Sequence, residues 1–347
     1  MCMYAAKMIM RYKNSEWGRM YMYNMLCKGT NPGLGNMVHF SGKKYALAGT
    51  FKKGIDKLSE KKSFSKLGKA MIVIPIIICT WAFLYFENNY ITVTGIDVKS
   101  PKLPDSFDGY RIVHLSDLHN KRFGRRQERL VKKIDNARPD IIVFTGDLID
   151  SRHSDIEASL ELIRQIVNIA PVYYVTGNHE WRSGRVEFLS KVLKDNGVHV
   201  LQSAHEKISN DGDGIYIMGI DDPSVYREGY KETTVVKREI EHMMNEVQDN
   251  DEFKILLAHR PDMFPLYSEY GFDLVLSGHA HGGQIRLPFI GGLVAPNQGF
   301  FPKYTSGDHK IGNCVMVVSR GLGNSIFPQR LFNHPEIVVL TLKKSEI

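Results

Sequence analysis

Five short apolar runs, each closed by a carboxylate, an amide or an imidazole, constrain this chain more than any other feature. Residues 111–115, 141–145, 172–176, 254–258 and 273–277 are rich in β-branched residues and followed by glycine or a polar turn, as strands are. Behind them stand Asp117-Leu118-His119, Gly146-Asp147-Leu148-Ile149-Asp150, Gly177-Asn178-His179-Glu180, His259 and Gly278-His279-Ala280-His281. Between them, residues 123–137 and 156–169 carry apolar positions at helical spacing, and 186–196 stops at Gly197, a fitting helix end. Further strand candidates lie at 198–202, 215–220, 314–319 and 337–342. Strands interleaved with helices imply an α/β domain with a largely parallel or mixed sheet. Such sheets place ligands beyond the carboxyl ends of their strands, so the five polar motifs should share one rim.

The spacing of the motifs suits metal ions. Asp117 and His119 are two apart, and just past a strand end they can chelate one ion together. Asp147 follows 30 residues on and Asn178 another 31, the rhythm of two β-α-β units each ending in one ligand. His279 and His281 repeat the two-residue spacing, with Gly278, Gly282 and Gly283 allowing close backbone approach. Oxygen and imidazole ligands without a thiolate favour Mn, Fe or Zn over Ca or Mg. Two divalent ions about 3.5–4 Å apart clamp a phosphate and acidify a bridging water. Taken singly, an Asp after a strand is a turn former and a lone His a core residue. Seven candidate ligands in this order ask for a joint explanation.

The set D-x-H, GD-x-x-D, GNHE, H-x-P and GHAHGGQ resembles the calcineurin-like metallophosphoesterase superfamily, over about residues 110–342. The longer run GHAHGGQIRLPFIGGLVAPNQGFFPKYTSG, followed by SRGLGNS, is similar to its membrane-anchored bacterial phosphodiesterase branch. The resemblance implies a four-layer α/β/β/α sandwich. It implies that Asp117, His119 and His281 hold one metal, that Asn178, His259 and His279 hold a second, and that Asp147 bridges both. His179 would be the non-ligand imidazole near the leaving-group oxygen. Ala280 stands where the family often has Thr, at a position that is not a ligand. Asp150 and Glu180 read as supporting residues, and His114, inside a strand, as structural. His153, His199, His205, His242, His309 and His334 receive no role.

The chain carries a net charge of +7, unevenly spread. Residues 1–69 hold 14 Lys and Arg against three Asp and Glu, whereas the remainder holds 31 against 35. The basic excess is therefore N-terminal, and no nucleic-acid partner is expected. Residues 70–86 (AMIVIPIIICTWAFLYF) contain no charge over 17 residues, enough to cross a bilayer at the short end of the range. Lys52, Lys53, Lys57, Lys61, Lys62, Lys66 and Lys69 precede this run, and no Lys or Arg follows until Lys99. That bias predicts an uncleaved single-pass signal-anchor in the cell membrane, N-terminus cytoplasmic and catalytic domain extracytoplasmic. Trp81, Tyr85, Phe86 and Tyr90 suit the outer interface, and Pro75 is tolerable in a membrane helix. The alternative is a buried core helix.

The expected organisation is a basic extension at 1–69, the anchor at 70–86, a linker and edge strand at 87–107, and the metallophosphoesterase domain at 108–347. Eight of the 14 methionines fall in the first 37 residues without a period, fitting a loosely ordered extension or an upstream start assigned in error. Cys2, Cys27, Cys79 and Cys314 form no CxxC pair and support no disulfide framework. Arg286 and Arg320 lie close in sequence to the rim and can grip a phosphate bidentately. Residues 289–301 (FIGGLVAPNQGFF) are unusually apolar for a loop and are expected to pack on the sheet edge, the other reading being that they skim a membrane.

The reaction expected is hydrolysis of a phosphodiester or pyrophosphate, lipid-linked ones included, by in-line attack of a hydroxide bridging two metal ions. The rivals are a UDP-2,3-diacylglucosamine-type pyrophosphatase, which needs a cytoplasmic site, a non-catalytic metal-binding scaffold, and a protein phosphatase. The non-ligand His179 speaks against the scaffold.

Overall fold

Alternating side chains of the central strands feed two different cores, which is why these strands read as unbroken apolar runs rather than as alternating ones. In the strand Ile141–Thr145, Ile141 and Val143 point to one core while Ile142 and Phe144 point to another. In Lys254–Leu257, Ile255 and Leu257 share the first of these cores, and Leu256 turns away to a third. The computed structural model describes residues 66–153, 155–225, 231–247, 251–324 and 327–346. The basic extension, apart from its last four residues, therefore lies outside the described residues.

In chain order the elements are helix α1 (Lys66–Asn89), strands β1 (Thr92–Ser100) and β2 (Arg111–Leu115), α2 (Glu128–Asn136), β3 (Ile141–Thr145), α3 (Glu157–Ile166) and β4 (Val172–Val175). Next come α4 (Asn178–Arg182), α5 (Val186–Asp195), β5 (Val198–Val200), β6 (Ala204–Asn210), β7 (Asp213–Gly219), α6 (Glu232–Glu246) and β8 (Lys254–Leu257). After the one-turn helix α7 (Phe264–Tyr267) follow β9 (Leu274–Ser277), β10 (Gly307–Ile311), β11 (Cys314–Val318) and β12 (Glu336–Lys344).

The first sheet has the order β1-β12-β2-β3-β4-β5, parallel except where β12 meets β2. The second has the order β10-β11-β9-β8-β7-β6, parallel through its centre with antiparallel edges. Ile112, Val143, Val175 and Leu340 of the first sheet meet Ile217, Ile255, Leu276 and Val317 of the second in a core between them. Helices α2, α3 and α5 cover the outer face of the first sheet through Leu130, Ile134, Leu162, Ile163, Leu189 and Leu193. Helix α6 covers the second through Val236, Ile240 and Met243. The result is the α/β/β/α sandwich.

Strand β1 pairs along all nine of its residues with β12, so residues 92–100 form the edge of the first sheet. Helix α2 starts later than residue 123. Arg126 and Gln127 have left-handed backbone, and the buried Gln127 side chain accepts the Phe123 N–H and donates to Lys121 O and Ala158 O. Those tertiary bonds outweigh the local helical pattern.

Helix α1 extends the expected apolar run by a turn at its N-terminal end and by three residues at its C-terminal end. It is long and apolar enough to cross a membrane, and its apolar stretch is not buried inside the protein, unlike a core helix. Its C-terminal end is docked. Glu87 faces His334 Nε2 at 3.0 Å, Asn88 Oδ1 accepts the Arg330 N–H at 2.8 Å, and Asn89 O accepts from Arg129 at 2.8 Å.

Residues 289–301 are shaped by two short antiparallel ladders, Arg286–Leu287 with Gly291–Gly292 and Val294–Ala295 with Gly299–Phe300, and they pack only in part: Ala295 is buried in the core under the second sheet. Phe289, Ile290, Phe300 and Phe301 are exposed.

Candidate metal centre

The leading ligand candidate of each motif stands two or three positions past the end of a parallel strand: Asp117 after β2, Asp147 after β3, Asn178 after β4, His259 after β8 and His279 after β9. All seven candidate ligands are buried, with side chains facing one another across the two sheet edges. His119 Nε2 lies 3.1 Å from His281 Nε2 and 3.5 Å from Asp147 Oδ2, and His281 Nε2 lies 3.3 Å from Asp117 Oδ1. On the other side, His259 Nε2 lies 3.4 Å from the same Asp147 Oδ2 and 3.1 Å from His279 Nδ1. Asp117, His119, Asp147 and His281 form one group of converging ligand atoms, and Asp147, His259 and His279 form a second. Asp147 belongs to both.

The backbone is bent to achieve this. Asp117, His119, Asp147, His279 and His281 all have φ between 47° and 63°, the left-handed region that costs roughly 1–2 kcal/mol per non-glycine residue. Buried hydrogen bonds hold them there. Asp117 N–H donates to Gly146 O, His119 N–H to Asp147 O, and His279 N–H to both oxygens of Asp117. Glu180, which the sequence marks as supporting, accepts from the amides of Gly177, Asp147 and Ile149 at 2.7–3.1 Å and so locks the second motif to the third. Gly146 is required twice over. Its φ is +84°, and a Cβ there would come within 2.8 Å of His259 Nδ1 and 2.5 Å of Gly177 N.

Electrostatics favour a cation. Burial, reinforced by the Asp147 charge, lifts Asp117 to about 6, and it lifts Glu180 to about 7. Burial drives His119 down to about 3 and His279 and His281 well below their usual range, so these imidazoles are neutral with lone pairs to offer. Burial also opposes a charge on His259, but Asp147 overrides it and holds that ring near 10. The proton there does what a divalent ion does better, compensating carboxylates in a dry site. His259 Nδ1 faces Thr145 O at 2.7 Å, which assigns its hydrogen to Nδ1 and leaves Nε2 for a ligand. The Asn178 amide stands 2.9 Å from His279 Nδ1. With the nitrogen toward the ring it donates a hydrogen bond; with the oxygen toward the ring both atoms aim lone pairs at one point, as two ligands of one ion do. The donor set fits divalent metal.

His179 belongs to neither group, but converges with His119 and Asp150 in a third. Its Nδ1 accepts the Ser151 N–H at 3.1 Å, with Asp150 Oδ1 at 3.5 Å, and its ring stands edge-on to His119 at 4.5 Å. Burial opposes its protonation, and Asp150 more than compensates, raising its pKa. Arg152 holds Asp150 in turn, at 2.6 and 3.0 Å. Arg286 and Arg320 flank the His281 loop differently. Arg286 donates to Gly282 O at 3.0 Å and Thr305 Oγ1 at 3.3 Å, both neutral, whereas Arg320 pairs with Glu336 at 2.8 Å. His114 is a strand residue bonded to Thr145 Oγ1, as its position suggests.

Three contributors have no signal in the sequence. Asn333 donates to His281 O and Gln284 O, Arg330 is buried and donates to Arg320 O, and Ser151 sets the His179 tautomer. The first two arrive from the segment before β12, and the third directly follows Asp150.

Comparison with known proteins bears on the same rim. A family model described as calcineurin-like phosphoesterase matches residues 110–283. The chain is 32% identical over 266 residues to YkuE of Bacillus subtilis, an uncharacterized metallophosphoesterase, covering 75% of this chain and 88% of that one. It is 31% identical over 262 residues to a Danio rerio transmembrane protein with metallophosphoesterase domain, covering 73% of this chain and 57% of that protein. Among solved structures, TT1561 of Thermus thermophilus is similar with a TM-score of 0.42 and 14% identity, over 61% of this chain and 90% of that one.

Proposed function

The chain belongs to the calcineurin-like phosphoesterase family and is a metal-dependent hydrolase; from that premise we propose that it is a membrane-anchored two-metal enzyme cleaving a phosphodiester or a pyrophosphate. The observation that carries the two-metal reading is Asp147 Oδ2, which lies 3.5 Å from His119 Nε2 and 3.4 Å from His259 Nε2 and so joins the two ligand groups. Asp117, His119 and His281 would hold one ion, Asn178, His259 and His279 the other, and Asp147 both. Mn, Fe or Zn suits this donor set. When bound, such a pair supplies an acidified water for attack on phosphorus and positive charge for the phosphoryl oxygens.

The remaining work falls to the chain. The His179 backbone N–H donates to Asp147 Oδ1 at 2.8 Å, fixing which oxygen faces the imidazoles. The His179 ring, accepting at Nδ1 from Ser151, carries its proton on Nε2, and there it serves the leaving oxygen. Arg286, whose hydrogen-bond partners are neutral, keeps its charge for a phosphate oxygen; Arg320, balanced by Glu336, contributes less.

Seven lysines before the apolar run at 70–86 and none for a dozen residues after it support an extracytoplasmic domain. The transmembrane name of the Danio rerio relative supports the anchor. Two measurements test the reading. The detergent-purified full chain with added Mn is assayed on bis-p-nitrophenyl phosphate, p-nitrophenyl phosphate and a nucleotide sugar; cleavage of the monoester alone would refute it. Alkaline phosphatase fused after Ile347 should be active in cells. An inactive fusion with a fluorescent cytoplasmic one would place the domain inside and favour a UDP-2,3-diacylglucosamine-type pyrophosphatase.

A further inference from the structure

Phe332 connects two apolar features that the fold otherwise leaves separate. Its ring centroid lies 6.0 Å from that of Phe83 on α1, and with residues 286–291 it lines one groove of about 430 Å³. The segment leading to it runs back along the helix. Pro328 O accepts from Asn88, and Gln329 Nε2 donates to Leu84 O at 3.0 Å. Phe83 lies three residues inside the end of the apolar run, about 4–5 Å deeper along the helix axis than Phe86. Whatever surrounds α1 at that level also surrounds Phe332.

From Phe332 the apolar surface continues away from the helix. Leu331 O accepts the Arg286 N–H at 3.0 Å, and the first ladder then turns at residues 288–290 with Phe289 fully exposed. Ile290, Phe300, Phe301 and Phe332 are each more than half exposed. Contiguous apolar surface of this kind marks a contact rather than ordinary solvent-facing surface, and aromatic side chains favour the membrane–water interface. The same loop leaves the rim at Gly283, two residues past His281.

We propose that residues 286–301 and Phe332 form a second membrane contact, entering the interfacial layer of the bilayer that α1 spans. They hold the mouth of the metal rim against the lipid surface, so that phosphoesters in lipid headgroups are the class of substrate it meets. This rests on the reading of α1 as an anchor and deepens the proposed function by naming where the substrate lies.

The test uses the full chain with its native cysteines replaced and single cysteines restored. The sites are Cys79 in α1, Phe289→Cys, Phe332→Cys, and Phe188→Cys on α5 at the opposite edge of the first sheet. Each carries an environment-sensitive fluorophore, in phosphatidylcholine–phosphatidylglycerol vesicles with or without nitroxide-bearing lipid. Emission from positions 289 and 332 should shift to the blue and be lost to the nitroxide lipid, as at Cys79, while position 188 stays open to a water-soluble quencher. If Cys79 is quenched by lipid but position 289 behaves like 188, the second contact is wrong and the anchor stands. If Cys79 is not quenched, the anchor reading fails and takes this proposal with it. A blue shift at 289 without lipid quenching means that protein covers the loop, a second copy or another partner, and also overturns it.

Discussion

The loops around Asp117, Asp147, Asn178 and His279 and the loop at 286–301 leave the same rim, yet they are built on opposite principles. The first set is buried, held by amide-to-carboxylate bonds such as those on Glu180, and strained into left-handed backbone at Asp117, Asp147 and His279, while Asn178 opens helix α4. The second also contains left-handed residues, Phe289, Asn297 and Phe301, but two-residue ladders and a few turn bonds are what shape it, and its aromatic side chains face outward. A site that must place ligand atoms to fractions of an ångström takes its geometry from the core of two sheets. A surface that meets a fluid partner needs apolar area more than exact placement.

The comparison breaks most visibly at Asp147. Asp147→Asn should reduce turnover to background and strip metal from the folded protein, because one carboxylate serves both ligand groups. Loss of groups that merely orient ligands already costs about 10–100-fold in metal affinity, so the loss here should be larger. Elemental analysis of the folded variant checks it, and two metals per chain with normal activity would refute the assignment. The next effect is kinetic. His179→Ala should keep its metal but slow hydrolysis by on the order of 10²–10⁴, the range for a general acid. The loss should be smaller with a p-nitrophenolate leaving group than with an alkoxide. Equal losses on both would point to charge stabilisation instead.

What the sequence disclosed follows the same division. The rim was legible because central parallel strands bury both faces, so their apolar runs and terminal polar residues stand out. Edge strands 92–100, 204–210 and 307–311 have one wet face and mixed composition, and of these only the first was anticipated, as an edge strand. Helix α6 went unread although Val236, Ile240 and Met243 sit at helical spacing. The late start of α2 depends on Gln127 bonds to distant carbonyls, which no local pattern carries. For 289–301 composition revealed an apolar loop but not whether protein or lipid would receive it. Asn333, clamping the His281 carbonyl from 52 residues away, had no sequence signature at all.

Behind the rim lies a pH-sensitive wall that the outer loop lacks. Asp221 is buried, its Oδ1 accepting from Thr176 Oγ1 at 2.6 Å, and the same Thr176 Oγ1 accepts from Trp181 Nε1 at 2.9 Å. Thr176 and Trp181 bracket Asn178 in the chain, so this network backs one of the proposed ligands. Burial, with the charge of Glu239 adding to it, raises the Asp221 pKa from 3.8 to about 7. The folded chain therefore keeps this proton up to about pH 7, whereas the unfolded chain releases it near pH 4. Across that window the folded state binds more protons, so the contribution of Asp221 to stability falls as pH rises. Asp221→Asn keeps the Thr176 bond and should match the parent at about pH 4 but exceed it at about pH 8, by on the order of a few kcal/mol. Melting temperatures of both full chains in detergent at the two pH values decide it. A difference that stays constant with pH would contradict the buried-proton account.

The smallest effects come from a pair of glycines chosen one from each region. A Cβ on Gly278 would sit 1.9 Å from Ser116 Oγ and 2.4 Å from Asp117 Oδ2, so Gly278→Ala must push apart groups that the rim holds in place. Overpacking of this kind costs about 1–3 kcal/mol, and because Asp117 is displaced, metal content should fall with it. Gly299, in the second ladder of the loop, has φ +70° and open space around its Cβ position. Gly299→Ala meets no clash and bears only the left-handed penalty, roughly 1 kcal/mol, in a two-residue ladder away from the ligand-bearing loops. Metal content should be unchanged and the melting temperature only slightly lowered. If Gly299→Ala depleted metal as Gly278→Ala does, the loop would be coupled to the rim, and the contrast between a rigid site and an independent outer surface would have to be given up.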